Sequence, residues 1–344
     1  MAEYKNQHFL TRKYLAEFSK DGKIYFYNGK VHKQIPYESQ CQKDYFYSKH
    51  KAKEVESIFS QGEVLLLNFI KSIEFFLKSE LKTAIALSHI VGLYLKNPRI
   101  ENKTGLERYD AIKSLLADYL VQIILGNAAK NQSLNEIFYE LTIRWRMFLL
   151  KIPDDVDSQF TTSDSPVAIM TDMAGQPPCF AYLPLSAKTA IFFANKEKYF
   201  SQDSVIEISQ AGLDKLNTLT AVNSINNVYS KNELSYEQRE HFKYGIEHIG
   251  FQSRDKIYMM NGNIKFYHNP ILIEESVISE FGFLTKNKSD LSFLSYKKAR
   301  EIYQSGKLDI DHENKKVTDK SNMTMSDLYC ATVAENIDKN PLGN

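Results

Sequence analysis

The first residues able to do chemistry come early in the chain. His8 and Arg12 stand four apart beside Leu10, Tyr14, Leu15 and Phe18, which are spaced like one face of a short helix. A histidine titrates near neutrality and a guanidinium grips oxyanions through a planar fork, so the pair suits proton transfer beside a phosphate or carboxylate. A second set is acidic. Glu54, Glu56 and Glu63 lie in one helical run, where Glu56 and Glu63, seven apart, share a face and could bind a metal together with Asp164. A solvated charged face explains the same spacing more simply. A third set, Glu237, His241 and His248, also shares a helix face and has metal-ligand chemistry, but Gly245 interrupts it. His89, inside an apolar run, reads as a core histidine. The chain has no phosphate-binding glycine loop, dinucleotide fingerprint or Gly-x-Ser-x-Gly elbow. Asp309-x-Asp311-x-Glu313 begins like a calcium loop, but Asn314 and Lys320 replace its glycine and closing glutamate.

The elements that must position these residues change character along the chain. Ile24–Tyr27 reads as a strand turning back through Asn28-Gly29, a pair suited to a two-residue turn with both φ positive. From Ala52 the apolar period becomes helical, through Phe59, Leu66, Phe69, Ile70 and Ile73. Helices follow from Glu80 to Leu95, closed by Asn97-Pro98, from Leu106 to Leu125, and briefly from Ser133 to Phe138. Glu140 to Leu150, Phe160 to Ile169 and Ala190 to Ala194 read as strands. Ser209 and Ser235 cap further helices. Asn261-Gly262 marks a second hairpin, Ile273–Phe281 and Tyr296–Tyr303 suit helices, Leu308–Ser321 reads as a polar loop, and Glu335–Asn344 as a loose tail. The expected fold is α+β: a helical first half packed on a mostly antiparallel sheet from residues 22 to 34 and 140 to 195. Residues 1–250 form the main domain and 251–344 a C-terminal α/β extension.

Bulk composition excludes several classes. The 344 residues are 43% hydrophobic and 25% charged, which suits a globular chain with a sizeable core. Lys plus Arg number 43 against 42 Asp plus Glu, so no global field draws the chain to nucleic acid or membrane. Cys41, Cys179 and Cys330 are odd in number and far apart, which argues against a disulfide framework and fits a reducing compartment. The polar start predicts no secretory leader, and the most apolar run, Thr83–Leu95, is too short to span a bilayer. A cytoplasmic protein without a membrane partner is expected.

Three blocks resemble a bacterial family known only as domain of unknown function 4238. They are Gln7-His8-Phe9 through Tyr14-Leu15 and Phe18, with Gly22-Lys-Ile-Tyr25 and Asp44-Tyr-Phe-Tyr47; Leu95 with Asn97-Pro98-Arg99; and Phe160-Thr-Thr-Ser-Asp-Ser-Pro166 with Leu183-Pro-Leu-Ser186. Asn223 leading to Val228-Tyr229-Ser230 also looks like the family's last segment. The likeness spans about residues 5 to 235 and departs at Leu10-Thr11, where the family more often has a small apolar residue and a proline. It implies a bacterial cytoplasmic protein and supplies no activity; genes for such proteins often lie near mobile elements and phage-defence genes.

The polar residues of these blocks are His8, Arg12, Arg99, Ser163, Asp164 and Asn223. Were they to converge, they would suit a phosphodiester. His8 would act as general acid or base and Arg12 or Arg99 would stabilise charge on phosphate, with Ser163 and Asn223 binding the ligand. Asp164 would orient the histidine or hold a divalent metal, the one cofactor this chemistry would call for. The opposing reading is a buried network in which Asp164 holds backbone amides as turn residues do. The leading expectation is a nuclease-type hydrolase acting on nucleic acid in antiviral defence. The alternative is a non-catalytic sensor that binds a phosphate-bearing ligand or a phage protein.

Overall fold

Strands buried on both faces in the middle of the chain build the frame. The computed structural model describes residues 5–73, 77, 80–125, 133–248, 255–288, 293–305, 308–311, 316–319 and 324–339. The chain opens with β1 (Asn6–His8), α1 (Arg12–Ala16), β2 (Lys23–Tyr27), β3 (His32–Pro36) and β4 (Gln42–Asp44). Helices α2 (Ala52–Lys71) and α3 (Glu80–Leu95) follow, then the short strand β5 (Glu101–Asn102), α4 (Arg108–Leu125) and α5 (Leu134–Arg144). A run of strands comes next: β6 (Trp145–Lys151), β7 (Thr162–Ser163), β8 (Ala168–Thr171), β9 (Phe180–Pro184), β10 (Thr189–Asn195), β11 (Tyr199–Phe200) and β12 (Val205–Glu207). After these lie α6 (Gln210–Asn223), β13 (Val228–Ser230) and α7 (Tyr236–His248). The last part holds β14 (Lys256–Met260), β15 (Asn263–Tyr267), β16 (Ile271–Leu272), α8 (Glu275–Glu280) and β17 (Thr285–Lys286). It ends with α9 (Tyr296–Gln304), β18 (Leu308–Asp311), β19 (Lys316–Asp319) and α10 (Met325–Lys339).

The fold is α+β. A six-stranded sheet runs in the order β12-β6-β10-β9-β8-β16; its inner pairs are antiparallel, and the pair at each edge is parallel. Successive side chains on a strand point to opposite faces, and both faces are covered. Trp145, Met147, Leu149, Ile169, Leu183 and Phe193 pack against the helices of the first half. Phe148, Leu150, Met170, Tyr182 and Phe192 pack against Leu213 and Leu216 of α6 and Ile278 and Phe281 around α8. The β2–β3 hairpin stands apart from this sheet. It belongs to a four-stranded one, β3-β2-β13-β7, in which Tyr27 and Ser163 flank Val228 from either side.

Several local expectations are corrected. Glu140–Arg144, expected in a strand, is helical: a capping box between Ser133 and Glu136 starts α5, Arg144 bonds Glu140 one turn back at 2.6 Å, and β6 begins at the next residue. The Asn28 turn carries positive φ at Gly29 alone, while Asn28 Oδ1 accepts from the amides of Lys30 and Val31 and so closes a longer loop. Asn261 and Gly262, at φ 52° and 73°, form the turn expected of them. Leu308–Asp311 and Lys316–Asp319 pair as an antiparallel hairpin where a loop was expected, in line with the alternation of Leu308 and Ile310. Glu335–Lys339, expected in a loose tail, ends α10, whose Cys330, Ala334 and Ile337 are buried with Tyr139 of α5 and Ala299 of α9. Glu313, Asn314, Lys320 and residues 340–344 lie outside the described residues. The three cysteines are free and buried. Among the described residues, no helix is long and apolar enough to cross a membrane.

The segment after residue 250 is tied in by more than β16. β14 runs parallel to β5, and Asp255, fully buried, accepts from Tyr94 Oη of α3 and from the Asn269 amide, with His268 Nδ1 3.3 Å away.

Candidate functional site

β1 is anchored by a residue with no chemistry of its own. Gln7, fully buried, donates to the Ser48 carbonyl at 2.7 Å and accepts from the amides of Tyr47 and Ser48. Tyr14 anchors α1: its hydroxyl lies 2.8 Å from Thr162 Oγ1 and donates to the Pro184 carbonyl at 2.6 Å. These two fixtures hold His8 and Arg12 where β1 leads into α1. Arg12 is exposed, and its Nε donates to His8 Nε2 at 2.9 Å. The neutral ring proton therefore belongs on Nδ1, where the Glu38 backbone meets it. Burial, then the Arg12 guanidinium, hold the His8 pKa below its ordinary value; Lys96 pulls the same way and Glu63 opposes.

The groups that meet His8 and Arg12 come from the N-terminal and middle turns of α2 and the C-terminal end of α3. Glu56 lies against the His8 backbone amide and under the charges of Lys96, Glu63 and Arg12; burial raises its pKa, and its Oε1 meets no donor among the described residues. Lys96 Nζ bonds Glu63 Oε1 at 3.1 Å and sits 4.5 Å over the Phe59 ring. Tyr47 Oη donates to the Lys96 carbonyl at 3.1 Å, and its ring contacts Phe46 and Phe59. Arg108 stacks 4.5 Å over Phe46; burial pushes it down to about 10, and its Nε and Nη2 have no acceptor among the described residues. His8, its pKa lowered, and Glu56, its pKa raised, thus stand in one cluster with the cations Arg12 and Lys96.

The other expected residues form a separate, buried set. Asp164 is 3% exposed, and its carboxylate accepts from the amides of Ile225, Asn226 and Asn227 at 2.8–3.2 Å. Its own carbonyl accepts from Asn97 Nδ2. Burial pushes the carboxyl up to about 6 against the pull of those amides. Arg99 Nη1 donates to Asn223 Oδ1, and Asn223 Nδ2 reaches the carbonyls of Ser165 and Val167. Ser163 Oγ accepts from the Ser165 amide. The structure thus brings His8 to Arg12, and Asp164, Ser163, Arg99 and Asn223 to one another. The Asn97-Pro98-Arg99 corner after α3 separates the sets, with Lys96 on one side and Asn97 and Arg99 on the other.

Glu63 and Glu56 do share a face, as their spacing suggests, yet their partners are Lys96 and the His8 amide. Among the described residues, no group of three or more His, Cys, Asp and Glu is placed to hold a metal ion. Glu237 and His241 line a polar cleft of about 400 Å³ with Asp157 and Asp214; the His248 side chain lies outside the described residues. The sequence signals that could have found the rest of the cluster are the seven-residue spacing of Glu56 and Glu63 and the lysine just before the Asn97-Pro98 stop.

An α+β protein whose first helix, small sheet and α3 corner converge on one polar cluster is the class this geometry defines. The chain belongs to the family described as proteins of unknown function, DUF4238, which matches residues 6–233. No curated protein and no solved structure matches the chain.

Proposed function

We propose that the cluster around His8 breaks a phosphodiester bond in nucleic acid, as a nuclease-type hydrolase serving antiviral defence in the cytoplasm. One observation carries the chemistry: the exposed Arg12 bonds His8 Nε2 at 2.9 Å, and Glu56, whose Oε1 meets no donor among the described residues, lies against the His8 backbone amide. The arriving phosphate draws the exposed Arg12 guanidinium off His8 Nε2. That lone pair then takes a proton from water as its oxygen bonds to phosphorus, the P–O ester bond breaks, and Glu56 gives its proton to the leaving oxygen. The defence role rests on the genomic association alone.

Incubation of the protein with single- and double-stranded DNA and RNA tests the reading. His8→Ala should lower cleavage by about 100-fold or more, and Glu56→Gln by a similar factor. Cleavage equal to wild type in both variants, with circular dichroism unchanged, would sink it. The second reading, a non-catalytic sensor for a phosphate-bearing ligand or a phage protein, is favoured by Arg108, whose buried Nε and Nη2 meet no acceptor among the described residues and suit an oxyanion. In that case phosphate protects the fold from thermal unfolding, Arg108→Met abolishes the protection, and no cleavage is seen.

A further inference from the structure

The three-stranded sheet β15-β14-β5 has two unlike faces. Side chains alternate across a strand, so Ile257 and Phe266, opposite one another, turn to the same face, and both are buried in the core shared with the first-half helices. The other face is open to solvent. On it Lys256 stands across from Tyr267, and Tyr258 across from Lys265. Tyr258 is 37% exposed and Tyr267 53%; Lys256 is exposed and Lys265 half-buried. The two tyrosines are diagonal neighbours across the strand pair, roughly 7–8 Å apart. Among the described residues, neither lysine is in an ion pair and neither tyrosine stacks on another ring. Glu101 of β5 lies beside Lys256, and Lys103 Nζ offsets its charge from 3.5 Å.

We propose that this face binds single-stranded nucleic acid. Two unstacked bases lie on the bare rings of Tyr258 and Tyr267, and the free ammonium groups of Lys256 and Lys265 meet the phosphates beside them. A duplex keeps its base faces stacked inside and offers the tyrosines nothing. Glu101 follows Lys96 of the His8 cluster by five residues, so at most about 18 Å of chain separates sheet and cluster. A strand of several nucleotides spans that distance. This surface deepens the nuclease reading and rests on it for the fate of the strand: what it captures, His8 and Glu56 cut.

Fluorescence anisotropy tests it, with labelled oligo-dT and oligo-rU of about twelve nucleotides and the full-length chain carrying His8→Ala, so that no probe is cut. One strand or both should bind saturably, and the matching duplex at least fivefold more weakly. Tyr258→Ala with Tyr267→Ala should weaken binding at least tenfold, while the two phenylalanine substitutions, which keep the rings, should stay within twofold of the parent. Lys256→Gln with Lys265→Gln should flatten the salt dependence of log K by roughly 1.4 in slope, about 0.7 for each phosphate released. No binding of either strand up to about 100 μM protein overturns the proposal. Binding that the alanine pair leaves unchanged overturns it as well, as does a duplex bound as tightly as the single strand. Strand capture by a protein whose wild type cuts nothing would sink the nuclease reading and leave this surface standing. Cleavage that the alanine pair leaves at the wild-type KM would do the reverse.

Discussion

At the scale of single residues, His8 and Asp164 show how one side-chain chemistry can be legible while its use is not. Both stand out in the sequence, but only His8 is partly exposed and bonded by Arg12; Asp164 is held by three amides of the 225–227 loop. Spacing along a chain reports neighbours within an element and says nothing of which elements meet, and so Glu56 and Lys96 escape notice. The opposed shifts fix the pH dependence. His8 must be neutral, which is satisfied above its lowered pKa, and Glu56 must be protonated, which is lost as pH rises through its raised pKa. Cleavage should therefore follow a bell with its maximum on the acid side of neutrality, and Glu56→Gln should remove the alkaline limb from what activity remains. Asp164 has the opposite bearing on stability. Because its folded pKa is raised, its contribution is full below the ordinary aspartate range and declines as pH rises to about 6. Urea midpoints of wild type minus Asp164→Asn should rise as pH falls from 6 to 4.

At the scale of elements, periodicity served best where one face is buried and failed where capping decided the outcome. Of the six-stranded sheet, the expected strands 140–150, 160–169 and 190–194 cover parts of β6, β8 and β10 alone; β9, β12 and β16 carry no such signal, and the second hairpin was readable because its turn chemistry is local. The end of α5 was not: its Thr142 and Ile143 favour strand, and the helix persists because of its capping box, the Glu140–Arg144 pair and tertiary burial. Gln7 was unremarkable as a sequence feature, since an amide in a strand has no period to betray it. Yet it joins β1 to residues 47–48. Gln7→Ala would strand two buried amides and one carbonyl, and should cost roughly 2–4 kcal/mol in urea unfolding. Gln7→Glu, which restores the acceptor, should recover part of that loss.

At the scale of the whole molecule, the family-like blocks earn their spacing by meeting. Residues 23–25, 162–163 and 228–230 lie in one four-stranded sheet, and Tyr14 reaches Thr162 in it and Pro184 in the six-stranded one. The residues after 250 engage this body through Asp255. Asp255→Ala would leave the Tyr94 hydroxyl and the Asn269 amide without their acceptor, and should lower stability by roughly 2–4 kcal/mol. A denaturation curve unchanged by that substitution would mean the contact is incidental. The parallel edges of the large sheet carry a further consequence, for the order of events during synthesis. Met170 finds its edge partner at Ile271, and in the separate three-stranded sheet β15-β14-β5 Glu101 finds its own at Lys256. Each pairing closes a loop of more than a hundred residues, the kind of contact that slows folding most. A chain emerging from the ribosome would hold its sheet with one side unsealed until the last quarter had been made, and the wait itself would be the step at which chaperones have most to do.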